Sequence, residues 1–209
     1  MKLKTLPALF AGAALIAPML ASAACFQEAQ PWTVRAGVHN IDPSGGTSTV
    51  ANGAIKVDVE SKLGPTVNLD YRFCHNFTLD VMGALPFTQD IKLNGNRLGS
   101  TRHLPPTVSV QFHPIPDGTL DPFVGVGLNR TFFFNESLNG PLAGNNLQLS
   151  NTWGYALQGG LDWKFAPNWL VGVDLRYIQI EPKASLNGAP IGTVKIDPLA
   201  YGITVGYKF

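Results

Sequence analysis

The stretch from Trp153 to Tyr177 reads WGYALQGGLDWKFAPNWLVGVDLRY. Its residues alternate. Trp153, Tyr155, Leu157, Leu161, Trp163 and Phe165 fall on one side of an extended chain, and Gly154, Ala156, Gln158, Gly160, Asp162 and Lys164 on the other. Ala166-Pro167-Asn168 makes a short turn, after which Trp169, Val171, Val173, Leu175 and Tyr177 oppose Gly172, Asp174 and Arg176. A period of two marks a β-strand, whose successive side chains point to opposite faces. One face here is large, apolar and aromatic. The other mixes glycine with charge.

The same pattern recurs along the chain and gives eight strands. In Trp32 to His39 the even positions are apolar and the odd ones include Arg35 and His39. Leu63, Pro65, Val67, Leu69, Tyr71 and Phe73 then oppose Lys62, Thr66, Asn68, Asp70 and Arg72. Phe77, Leu79, Val81 and Leu85 oppose Thr78, Asp80 and Met82, and Val108, Val110 and Phe112 oppose Thr107, Ser109, Gln111 and His113. Val124, Val126, Leu128, Phe132 and Phe134 oppose Gly125, Gly127, Asn129 and Thr131. The last strand sets Leu199, Tyr201, Ile203, Val205, Tyr207 and Phe209 against Ala200, Gly202, Thr204, Gly206 and Lys208.

A soluble β-sandwich also alternates, but two features argue for a transmembrane barrel. Connections alternate between short ones (74–76, 114–121, 166–168) and longer polar ones (near 42–56, 88–103, 135–150, 183–193). Short turns on one side and long loops on the other is the outer-membrane pattern, and an even strand count puts both termini on the short-turn, periplasmic side. Aromatics also gather at strand ends: Phe73, Phe77, Phe112, Trp163, Phe165, Trp169, Tyr207 and Phe209 near the turns, and Phe132, Phe134, Trp153, Tyr155 and Tyr177 toward the loops. Amphipathic rings favour both bilayer interfaces. The expected fold is all-β, an eight-stranded antiparallel transmembrane β-barrel.

Composition agrees. Charged residues make up 14% of the chain, against roughly 25% in soluble domains. The net charge of +1 gives no electrostatic case for nucleic acid. The N-terminus reads as an export signal: Lys2 and Lys4, an apolar run from Leu6 to Leu20, and Ala21-Ser22-Ala23 as cleavage site. A membrane helix is the rival reading, but Pro7 and Pro18 interrupt the run. A lipid anchor at Cys25 is a further alternative, against which Ser22-Ala23-Ala24 lacks the usual large aliphatic residue. The expected division is a signal over 1–23 and a barrel domain over 24–209 in the bacterial outer membrane, in contact with outer-membrane lipid and lipopolysaccharide.

Several segments resemble the OmpW family of small outer-membrane barrels. They are Trp32-Thr33-Val34-Arg35-Ala36-Gly37, Leu104-Pro105-Pro106-Thr107, Pro122 through Asn129, Trp153-Gly154 through Gly160-Leu161-Asp162, Ile196-Asp197-Pro198 and Gly206-Tyr207-Lys208-Phe209. The terminal Phe209 looks like the signal read by the barrel-insertion machinery. The resemblance implies a narrow, partly hydrophobic lumen, passage of small hydrophobic or amphiphilic molecules, and no enzymatic activity. The chain departs from the family at Arg176 and Arg130, where members often carry an aromatic and a tyrosine respectively. Arg176 puts a charge in the lumen.

By the alternation, Arg35, His39, Asp70, Arg72, Asp80, His113, Asp162, Asp174 and Arg176 point inward. An eight-stranded interior is just wide enough for its side chains, so one reading is a plug of paired charges. The other is a narrow path: inward glycines leave room, Met82 gates it, and Leu170, Arg176 and Ile178 lie on the same inward track. Pro65 removes a ladder donor within the second strand, which implies either a bulge or an opening in the wall. Cys25 and Cys74 sit at the same end in an oxidising compartment and are read as a disulfide or as two free thiols.

No histidine shares a strand with Cys, Asp or Glu at metal-ligand spacing, and no cofactor is expected. Ser109 and His113 lie roughly 13 Å apart on one strand, too far to touch. The expected function is passive passage of small hydrophobic or amphiphilic solutes. The alternatives are a closed barrel acting through its loops and a lipid-modifying enzyme.

Overall fold

The computed structural model describes residue 25 and residues 29–43, 48–50, 55–59, 61–84, 87–93, 96–138 and 144–209. The expected export signal over 1–23 lies outside the described residues. The strands are β1 (Trp32–Pro43), β2 (Ser48–Val50), β3 (Ile55–Val59), β4 (Lys62–Cys74), β5 (Phe77–Ala84), β6 (Phe87–Leu93), β7 (Asn96–Leu104) and β8 (Thr107–Phe112). They continue with β9 (Leu120–Leu138), β10 (Leu147–Leu149), β11 (Thr152–Ala166), β12 (Trp169–Ile178), β13 (Lys183–Leu186), β14 (Ala189–Thr193) and β15 (Pro198–Lys208).

Eight of these form the wall. β1 pairs with β4, β4 with β5, β5 with β8, β8 with β9, β9 with β11, β11 with β12, β12 with β15, and β15 returns to β1, always antiparallel. A closed ladder leaves no sheet edge, which hydrocarbon would not tolerate. The faces are inverted relative to a soluble protein. Val124, Val126 and Leu128 are 61–63% exposed on the outside, while Asn129, Thr131, Asp80, His39 and Asp121 are fully buried inside. Ring contacts join Phe77 to Phe112 at 5.3 Å and Trp169 to Tyr207 at 5.0 Å toward the turns, and Tyr155 to Tyr177 at 5.9 Å toward the loops.

Cys25 and Cys74 form a disulfide between the segment before β1 and the first turn. The long connections are not plain loops, which corrects the reading of 42–56, 88–103, 135–150 and 183–193. They carry β2, β3, β6, β7, β10, β13 and β14. The reason is geometric. β9 runs on past its wall partner β8, and its upper part pairs with β7, Leu104 opposite Phe132 through Gly99 opposite Leu138. Backbone groups beyond the wall are thereby satisfied within the chain.

Val126 lies in mid-strand between Val124 and Leu128 on the exposed face. Val126→Arg is expected to lower folding stability by about 2–4 kcal/mol in bilayers, read by urea unfolding in phospholipid vesicles. A loss no larger than that of Val126→Leu would refute the assignment of this face to lipid.

Candidate functional site

Eight strands enclose so little space that inward side chains meet across it. Three tiers of charge result. Nearest the turns, Asp121 takes His113 Nδ1 at 2.9 Å, Lys164 Nζ at 2.9 Å and Arg72 Nη2 at 3.4 Å. Above it, Arg35 of β1 reaches Asp70 of β4 at 2.5 Å and Asp162 of β11 through two bonds of 2.6 and 2.8 Å. Higher still, His39 bridges Thr66 at 2.7 Å and Asp174 at 2.9 Å, and Asn68 donates to Asp80 at 2.6 Å.

The decisive contact belongs to Arg176. Its Nη1 lies 3.1 Å from Asp80 Oδ2, with the two side chains 2% and 0% exposed. Arg176 stands on β12 and Asp80 on β5, which are opposite each other in the circular strand order. The pair therefore crosses the full lumen. Taking such charges out of water is affordable only when they are paired, so the crossbar holds the barrel closed at this height.

Toward the loops the lumen turns apolar. Ile178 packs with Ala156, Ile180, Ala184, Val194 and Ile196, bordered by Phe133, Leu149 and Ile191. Ile41 and Ala200 add a second buried apolar pair. Met82, 6% exposed, is in register with Asn68 on one side and Thr107 on the other. It thus stands one step toward the loops from the Asp80 tier. At the turn end lies a separate cavity of about 200 Å³, lined by Arg35, Asp70, Thr78, Lys164 and Leu170 among others.

Several expectations need correction. Leu170 is not a neighbour of Met82 on one track: it lines the turn-end cavity together with Arg35, Asp70 and Asp162 of the middle tier. Arg176 is engaged across the lumen by Asp80. The inward glycines do not leave free volume either. A Cβ on Gly202 would meet the His39 ring at 2.6 Å, and one on Gly172 would meet Asp162 Oδ1 at 2.6 Å. Gly172 makes room for Asp162 and Arg35, and Gly202 for His39. His113 is engaged by Asp121 and Gln111, in keeping with its expected separation from Ser109. His113, Asp121 and Asp162 come close enough to hold a metal ion, a grouping the strand-by-strand reading missed because it joins three strands. Arg35, Arg72 and Lys164 already answer the two carboxylates.

Pro65 is the remaining correction. β4 pairs with β1 without a register shift from Trp32 opposite Tyr71 to Ile41 opposite Lys62, with Pro65 opposite Val38, so there is no bulge at Pro65. On the other side the ladder stops. β4 and β5 pair up to Thr66 opposite Ala84. β3 and β6 pair from Val59 opposite Ile91 onward. The two stretches share one register. The interval between them, the seam, includes residues 60, 85 and 86, which lie outside the described residues, and Pro65 stands at its rim next to Thr66.

Arg176→Met is expected to cost about 3–5 kcal/mol, because Asp80 is left charged and buried, whereas Arg176→Met with Asp80→Leu recovers most of that loss. Urea unfolding of the folded barrel measures both. Equal losses in the single and double variants would mean that the pair does not act as a unit.

Comparison with known proteins places this geometry in context. A family model described as the OmpW family matches residues 29–209. Outer membrane protein W of Vibrio cholerae is 33% identical over 213 residues, covering 95% of this chain and 97% of that protein. The dibenzothiophene metabolism operon protein PahQ of Pseudomonas aeruginosa is 25% identical over 193 residues, covering 87% of this chain and 90% of that one. The crystal structure of the outer membrane protein OprG from Pseudomonas aeruginosa superposes with a TM-score of 0.77 at 27% identity, covering 87% of this chain and 97% of that chain.

Proposed function

The chain belongs to the OmpW family of outer-membrane proteins, and from that premise we propose that it lets small hydrophobic or amphiphilic molecules cross the outer membrane passively. The long connections face outward and both termini face the periplasm. A solute enters the apolar tier around Ile178 and Ile180 from the loop side. The Arg176–Asp80 crossbar turns it aside, and it leaves sideways into the bilayer through the seam beside Pro65. No catalytic step is involved.

One observation supports this reading: the β4–β5 ladder ends at Thr66 opposite Ala84, next to Pro65, and the pairs beyond it in the same register, from Val59 opposite Ile91, belong to β3 and β6. Loss of ladder bonds inside hydrocarbon is costly. Proline lowers that cost locally, because Pro65 has no N–H to leave unpaired. Met82 lies on β5 two residues from Ala84, at the foot of the seam. The name of PahQ ties that relative to metabolism of a flat apolar compound, which fits such cargo. A second reading is a closed barrel acting through its outer hairpins, and the filled lumen favours it.

Uptake of a small apolar fluorescent solute by liposomes carrying the barrel separates the two. Transport predicts faster uptake than by empty liposomes and a several-fold reduction by Met82→Trp. Leu63→Cys with Phe87→Cys, oxidised to close the seam, is expected to bring uptake down to the empty-liposome rate, and reduction to restore it. Uptake unaffected by the crosslink would move the route away from the seam. Uptake equal to that of empty liposomes would leave the closed barrel as the better account.

A further inference from the structure

Asn129 and Thr131 are fully buried in the lumen, so Arg130 between them points outward. This guanidinium belongs to none of the three charged tiers. Outside, Leu128 precedes it, Phe132 follows it, and Trp153 of β11 stands opposite in register. Its Cζ lies 4.7 Å from the Trp153 ring and 5.5 Å from the Phe132 ring. Among the described residues, no carboxylate forms an ion pair with it.

Depth gives this arrangement its meaning. From Leu120, where β9 begins, to Arg130 the strand rises about 3.4 Å per residue, roughly 34 Å along its length. With a tilt near 40°, that is about 25 Å along the membrane normal, the height of the apolar band of such barrels. Arg130 therefore stands at the loop-side edge of the hydrocarbon, where lipid phosphates lie and a cation is tolerated. A guanidinium presents five N–H donors in a fixed fork, which takes a phosphate through two parallel bonds. Trp153 is 65% exposed, so the approach from the bilayer is open.

β9 continues beyond this level to Leu138, paired with β7. A ligand held at Arg130 thus has protein wall standing beside its headgroup, which suits a tall headgroup better than a small one. With the hairpins outward, as proposed above, the facing leaflet is the outer one, whose characteristic lipid is a phosphorylated glycolipid.

We propose that Arg130, backed by Trp153 and Phe132, is a binding site for a phosphate of the lipid A moiety of lipopolysaccharide. The site would hold one glycolipid against the paired β9 and β11 and fix the depth of the barrel in its leaflet.

Native mass spectrometry of the folded, full-length mature barrel in detergent tests this with purified lipid A, its dephosphorylated analogue and phosphatidylglycerol. A one-to-one complex with lipid A is expected at about tenfold lower concentration than with the dephosphorylated form, in line with a charge-assisted contact. Arg130→Gln should bind lipid A no better than the phosphate-free analogue, and Arg130→Lys should bind at an intermediate level. Heat-induced mobility shift on gels confirms that each variant is folded. Equal binding of lipid A by Arg130→Gln and the unsubstituted barrel would overturn the proposal. Equal binding of phosphatidylglycerol and lipid A would overturn the assignment to the glycolipid. Binding in detergent does not depend on which way the barrel inserts or on whether it transports, so a failure here falls on Arg130 alone.

Discussion

A backbone inside hydrocarbon has no water to bond with, so every N–H and C=O in the wall must find a partner in the chain. That constraint closes β1 onto β15 and turns the protein inside out. Apolar side chains take the outer face, and whatever is polar must take the inner one. With eight strands the inner space is only as wide as the side chains that fill it. Charges in it cannot stay apart, and the crossbar between Arg176 and Asp80 is the result.

Packing follows from the same shortage of room. Arg35 holds Asp70 and Asp162 at once, and it can do so because Gly172 offers no Cβ where Asp162 and the guanidinium meet. Gly202 does the same for His39. The inner face is thus a fitted set of glycines and ion pairs rather than a bore. If solutes pass this barrel, they leave where the ladder itself is interrupted. The pairing of β4 ends at Thr66 and resumes, from β3, at Val59 in the same register. The apolar tier around Ile178 and the seam both lie on the loop side of the crossbar, so the two can serve one route.

Much of this was legible in the sequence. Strict alternation from Trp153 to Tyr177 gave the strands, their inner and outer faces and the turn between them. The same rule placed Arg35, Asp80 and Arg176 in the lumen. Partnerships were not legible. Arg35 and Asp162 are 127 residues apart, and only closure brings their strands within reach. The glycines looked like free volume because alternation shows which way a position faces and not which neighbour fills it. Leu170 and Ile178 share a face of β12, yet Leu170 lies among Arg35, Asp70 and Lys164 and Ile178 lies in the apolar tier toward the loops, since strand length separates positions that parity groups together. The outer hairpins were read as loops because their pairing depends on how far β9 extends.

The proposed lateral route requires the wall to open between β4 and β6. Residue-resolved amide hydrogen exchange of the barrel in lipid nanodiscs tests it most directly. Amides of β4 from Thr66 to Arg72 are expected to be protected for hours, like those of β11 and β12. Between Lys62 and Gly64, amides that point away from β1 are expected to exchange within minutes. Uniform protection through Lys62 to Arg72 would mean that the ladder is continuous there, and the lateral route would have no opening to use.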